Sequence, residues 1–173
     1  MGITIGPVDW WVATPYNIDD LAISCPVATT LPDGSRIICK AGGKAWIVAP
    51  SCTQVSEPWG NVTACGNIDN SPFGTSVHSD ITSINFPVLY NQLISCGFNP
   101  SDWFVPCYQL LQNPGYVCRT NWDSYSTSYL YWSSTEAGAI THCACSGCIT
   151  NGATFLFCKY CSSCVRAFRC VTY

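Results

Sequence analysis

Apolar and polar positions alternate irregularly along this chain, but several stretches carry a clear period. Ala45-Trp-Ile-Val-Ala-Pro50 is a short continuous apolar run and predicts a strand. Residues 51–74 are polar and rich in turn formers, which predicts a long loop. Over Ser83–Gly97, Phe86, Leu89, Leu93 and Ile94 recur at helical spacing, and Gly97 supplies the stop. Residues 101–115 read as a short strand followed by a helix over 107–112 that Pro106 initiates. Ser128–Glu136 opens a last section of strands. In that section Asn151-Gly152 lies between two apolar-rich arms, a strong short-range hairpin signal. Cys-Val-Arg-Ala-Phe-Arg-Cys-Val over 164–171 predicts one closing strand.

Residues 1–41 differ from the remainder. They carry Trp10, Trp11 and Tyr16 among prolines and short apolar pieces. The expectation is an extended docking arm over 1–41 ahead of a domain over 42–173. A strand folded back on its own domain is the competing reading.

Composition narrows the function classes. The chain has 173 residues, the size of one domain, and only 10% of them are charged, with a net charge of −3. Its seven Lys and Arg form no basic stripe, so nucleic acid is not an expected partner. No apolar run is long enough to span a bilayer, and the start of the chain resembles no signal peptide. His78 and His142 are the only histidines and neither accompanies a nucleophile motif; Glu57 and Glu136 are the only glutamates. No catalytic residue, metal ligand or cofactor is therefore assigned, and the chain is read as a non-enzyme.

Fourteen cysteines change the picture. Seven lie in the last section: Cys143, Cys145, Cys148, Cys158, Cys161, Cys164 and Cys170. The others are Cys25, Cys39, Cys52, Cys65, Cys96, Cys107 and Cys118. The Cys145-x2-Cys148 and Cys158-x2-Cys161-x2-Cys164 spacings suit zinc, with His142 as a further ligand, although seven cysteines overfill a four-ligand site. Disulfides are the alternative, and an even total permits seven of them. If Asn151-Gly152 is a two-residue turn, Thr150 faces Ala153 and, counting outward, Cys145 faces Cys158 at a closely spaced position. That register predicts a Cys145–Cys158 cross-strand bond. A redox centre is the least expected use, because no Cys-x-x-Cys begins a helix after a strand.

Asp102-Trp-Phe-Val-Pro-Cys107, Tyr131-Trp-Ser-Ser-Thr-Glu136, the Asn151-Gly152 hairpin with Lys159 after it, and Val165-Arg-Ala-Phe-Arg169 together resemble the DUF1566 family, also called the Lcl C-terminal domain family. Gly42–Pro50 resembles its opening strand. The resemblance covers 42–173 in order and implies an α+β, C-type lectin-like domain of the formylglycine-generating-enzyme type. Such a domain has small twisted antiparallel sheets, two short helices and long loops, made disulfide-rich here. It implies a motif core of Trp46, Trp103, Pro106, Trp132, Val165 and Phe168. Cysteines are an addition to the family's usual pattern, which favours disulfides over a family-wide metal site. Arg166 and Arg169 are expected to pair with Glu136 or Asp102. Glu57-Pro-Trp59 and Asn121-Trp-Asp123 faintly resemble calcium-dependent sugar-binding signatures, at the wrong spacing.

The function this implies is a bacteriophage virion component, in the tail fibre or baseplate. The arm would dock to other virion proteins or copies of the chain, and loops 51–80 and 113–128 would meet a host surface glycan or protein. The expected location is the virion, without membrane insertion. A capsid decoration protein, a secreted bacterial adhesin and, last, a formylglycine-generating-type enzyme are the alternatives.

Overall fold

The computed structural model of the chain describes residues 17–60, 79–137, 140 and 142–173. Trp10, Trp11, Tyr16, Cys65 and His78 lie outside them. The described chain is α+β: two five-stranded sheets with few, short helices.

Strands β1 (Arg36–Ala41), β2 (Lys44–Val48), β4 (Ser79–Asp80), β5 (Phe104–Val105) and β10 (Phe168–Thr172) build the first sheet, in the order β1-β2-β10-β5-β4. The second runs β3-β9-β6-β7-β8, from β3 (Val55–Glu57), β6 (Tyr131–Glu136), β7 (Cys143–Gly147), β8 (Thr154–Cys158) and β9 (Ser163–Val165). The sheets are not purely antiparallel as expected, because β6 and β9 meet in parallel at Tyr131 and Cys164.

The continuous apolar run at 45–50 has a physical reason. Sheet one is covered on both faces, so neither side of β2 can be polar. Ala45 and Ile47 join a core with Leu89, Leu93, Trp103, Val105 and Trp132. Val48 and the half-buried Trp46 face a second core with Ile38, Leu111, Trp122, Ile149 and Phe168. Trp103, Pro106, Trp132, Val165 and Phe168 are buried; of the six motif residues only Trp46 is partly open.

The helix predicted over 83–97 is α2 (Pro87–Ser95), starting at a proline and stopped by Gly97 at φ +85°. The helix predicted after Pro106 is shorter than expected. One turn over Tyr108–Leu110 runs into a wide turn over Leu111–Tyr116, broken at the extended Asn113.

Three expectations change. Residues 17–41 are no extended arm: they form α1 (Ile18–Ser24) and β1, with Ala22, Leu31, Ile37 and Ile38 buried. The domain therefore begins well before residue 42. The overlooked signal was Asn17, whose side chain accepts from the Asp19 N–H, followed by two acidic residues in the first turn.

The closing strand is two strands. The chain leaves sheet two after Val165 and enters sheet one at Phe168, crossing at Arg166-Ala167.

The hairpin register also differs. Cys148 donates to the Ala153 carbonyl and Gly152 donates back to the Cys148 carbonyl, closing a four-residue loop over 149–152. Ile149 is fully buried in the second core, which draws it out of the strand and moves the pairing by two positions. Cys143 therefore stands opposite Cys158, and Cys145 opposite Leu156. The expected Cys145–Cys158 pairing is overturned.

Gly152 has φ +75°, and a Cβ there would lie 2.6 Å from the Tyr116 ring. Gly152→Ala is expected to cost about 2–3 kcal/mol, from the left-handed backbone and the clash together. Urea denaturation checks it: the midpoint falls with an unchanged slope, and Tyr116→Ala in the same chain restores the part due to the clash.

Candidate functional site

The last two strands of sheet two and the turns around them collect the groups with chemical potential. β8 forms the sheet's edge, and Phe155 and Leu156 are each 47% exposed there, with Tyr160 60% exposed just beyond. Backbone bonds fix which groups the edge offers. Lys159 donates to the His142 carbonyl and Cys148 to the Ala153 carbonyl, so the opposed pairs 142/159 and 148/153 are hydrogen-bonded ones. Pairs alternate along an antiparallel ladder. Thr154 and Leu156 therefore turn their N–H and C=O groups outward, and no described strand takes them up, whereas the outward Cys158 carbonyl already accepts from the Cys161 N–H.

Where β8 ends lies an ion pair that reaches back to β6. Lys159 and Glu136 are each 6% exposed and bond to one another. The Lys159 ammonium also stands 4.6 Å from the centroid of the Trp59 ring. Trp59 is held in turn: its N–H donates to the Lys159 carbonyl and its indole N–H to the Ser133 carbonyl at 2.6 Å. Glu136 thus pairs with Lys159, not with either arginine of the closing segment. Arg166 instead reaches Asp123, the Ser124 carbonyl and the Ala49 carbonyl, and Arg169 reaches Asp19. Asp102 takes part in none of these ion pairs.

The carboxylates that faintly resembled a sugar-binding set are engaged in the fold. Both Glu57 oxygens accept from the first turn of α2, from the Val88 and Leu89 N–H groups at 3.0 Å each. They cap a helix whose own N-cap, Phe86, offers no side-chain bond. Burial raises the Glu57 carboxyl above the usual glutamate range, and those two N–H groups offset it only in part. Asn121 donates to the Ile38 carbonyl. Burial alone would raise Asp123, but the Arg166 charge and hydrogen bonds from Ser51 outweigh it and hold the carboxyl below the usual aspartate range.

The thirteen described cysteines carry free thiols. Among the described residues no group of three or more His, Cys, Asp or Glu side chains is placed to hold a metal ion. The Cys-x2-Cys spacings of the last section therefore do not converge on one point. They spread along strand and turn: Cys145 and Cys164 are buried, Cys143, Cys148 and Cys158 are half-buried, and Cys161 is exposed.

Among the described residues three pairs of thiols are neighbours. Cys161 hydrogen-bonds with Cys158 across a tight turn. Cys52 hydrogen-bonds with Cys96, and Cys118 with Cys39. Burial, then the neighbouring Cys39 thiol, pushes Cys118 up to about 11. Cys52 and Cys161, though exposed, are raised as well, by partial desolvation and by their partner thiols. Cys148 is the exception: hydrogen bonds from Thr150 and from the backbone of Asn151 and Thr150 outweigh burial and lower it. The two long-range contacts escaped sequence reading, because nothing local marks residues that the fold alone brings together.

The second display loop, 113–128, is not free chain. Trp122 is 4% exposed and contacts Tyr125, Tyr131 and Phe168 edge-on, with ring centroids 5.6–6.3 Å apart. Most of the first, 61–78, lies outside the described residues. Of the two histidines, His142 is exposed on the turn before β7. No described helix is long and apolar enough to cross a membrane. No protein-family model matches the chain, and no curated protein is significantly similar to it.

Proposed function

We propose that this chain is a non-enzymatic binding and assembly module of a bacteriophage particle, built on a C-type lectin-like scaffold and self-associating through the open edge of β8. The observation that carries the assembly reading is that edge: Thr154 and Leu156 with outward backbone groups, beside the exposed Phe155, Leu156 and Tyr160 side chains. An exposed edge with large apolar side chains on both faces is a template for a further strand, and a second copy in antiparallel register satisfies the same groups on both chains. The carboxylates and ammonium that could have served acid–base chemistry are committed to capping and ion pairing. The phage setting and the lectin-like scaffold rest on the family resemblance of 42–173 and on the aromatic, weakly charged composition. Attachment to a host glycan or protein follows from the same resemblance. A capsid decoration protein would use the same edge without a host ligand.

Leu156→Pro tests the edge. Its N–H faces outward, so proline removes no bond to β7 and suits an edge position. The expected result is an unchanged thermal midpoint to within a few degrees and a self-association constant weakened by about tenfold or more, read by sedimentation velocity. A chain that is monomeric at all concentrations, or a variant that associates like the parent, overturns the assembly reading. Binding to host cells by the parent but not by a denatured control separates receptor binding from decoration.

A further inference from the structure

The geometry points to two intrachain disulfides, Cys39–Cys118 and Cys52–Cys96, as covalent clamps that close when the folded chain meets an oxidant. This goes beyond the particle reading above and rests on it only for the oxidising surroundings. The thiol contacts themselves are independent of any function.

Cys39 owes its position to a bulge. Ile37 pairs with Ile47 and Cys39 with Trp46, so Ile38 is an extra residue in β1. Without it, strand alternation would put Cys39 on the same face as Ile37, in the first core. With it, Cys39 turns to the second core beside Trp46, where Cys118 also packs. There the two thiols hydrogen-bond. The approach is fixed from both sides. Asn121, three residues after Cys118, donates to the Ile38 carbonyl at 2.9 Å, and Cys118 itself donates to the Pro114 carbonyl at 2.8 Å.

Cys52 and Cys96 are held by a shared neighbour. Cys52 lies in the tight turn Ser51–Thr53 and Cys96 directly follows α2. Gln92 donates to the Cys52 carbonyl at 2.8 Å and lies 3.6 Å from the Cys96 sulfur. That sulfur is 3.8 Å from the Cys52 carbonyl oxygen. The Cys96 sulfur thus lies against the Cys52 backbone, and Cys52 is exposed to a reagent in solution.

The oxidant is a low-molecular-weight disulfide, RSSR. One protein thiol loses its proton and its sulfur attacks RSSR, forming a mixed disulfide and expelling RS⁻. The second thiol, deprotonated in turn, attacks the protein sulfur of that mixed disulfide and expels another RS⁻. The two RS⁻ take up the two protons, so two protein thiols and RSSR become one protein disulfide and two RSH. Each bond joins segments far apart in sequence: β1 to the turn before Trp122, and the turn after Pro50 to the end of α2. Constraint of such long loops restricts the unfolded chain most.

The full-length chain is reduced, then oxidised with an excess of a small disulfide at mildly alkaline pH, alkylated and digested. The expected map after combined trypsin and chymotrypsin digestion shows Ile37–Lys40 only in disulfide linkage to Val117–Arg119, the peptide that holds Cys118 alone. A chymotryptic map shows Cys52 linked to Cys96. Cys39→Ser and Cys52→Ser each remove one linkage and leave the other. The oxidised protein melts about 10 °C higher than the reduced one. Alkylated Cys39 or Cys52 in folded, oxidised protein overturns the proposal. So does either residue bonded to a different cysteine or to a second chain. Self-association measured under reducing conditions tests the assembly reading separately, so failure of one leaves the other standing.

Discussion

Lys159→Ala is expected to destabilise the fold by about 3–5 kcal/mol, which lowers the thermal midpoint by about 10 °C. The substitution removes the counter-charge facing the buried Glu136 carboxylate and the cation over the Trp59 ring. Taking one partner out of a buried pair costs far more than the pair itself contributes, because the remaining charge keeps its desolvation penalty. A double substitution therefore separates the two terms. Lys159→Met with Glu136→Gln is expected to recover at least half of the loss, since neither position is then charged while the hydrogen-bonding capacity at 136 is kept. Equal stability of the single and double variants in urea denaturation would show that charge burial is not the dominant cost.

Arg166 carries the second large effect. It sits where the chain crosses between the sheets and binds three separate partners: Asp123, the Ser124 carbonyl and the Ala49 carbonyl, the last at 2.8 Å. Its side chain is wholly buried and packs near the Trp122 ring, 5.3 Å from the centroid. Arg166→Lys is expected to cost about 3 kcal/mol despite keeping the charge, because one ammonium cannot serve a fork of three directions. Acid titration checks the Asp123 half of this contact. The folded carboxyl titrates below its unfolded value, so its contribution is complete above about pH 4 and is lost as pH falls through the lowered folded value. Asp123→Asn removes that acid-labile contribution. The parent and the variant therefore differ most at neutral pH and converge as the pH falls through the lowered folded value.

How much of this was legible differs element by element. β2 and α2 were readable because their signals are local: a run too apolar for any exposed face, and Leu89 and Leu93 at helical spacing before a glycine. The closing segment misled because Val165, Ala167 and Phe168 look like one strand. The break depends on Arg166 finding Asp123, 43 residues earlier, a relation no local pattern records. The cysteine register failed for a similar reason. Asn151-Gly152 does mark the turn, but loop length was decided by Ile149 entering a core made of Leu111, Trp122 and Phe168. The expected partner of Glu136 was wrong because several cations lie within sequence reach, and only the packing of Trp59 selects Lys159.

The position of β10 has a consequence for synthesis. Residues 168–172 fill the middle of sheet one, between β2 and β5. While a ribosome is still making the chain, β1 and β2 can form a hairpin, but its inner edge has nothing to pair with until those five residues emerge from the exit tunnel. The nascent chain must therefore keep Ala45, Ile47 and Val48 waiting in water while residues 49–167 are made, and a protein stalled or cut short before residue 168 would present that edge to chaperones and proteases instead of closing.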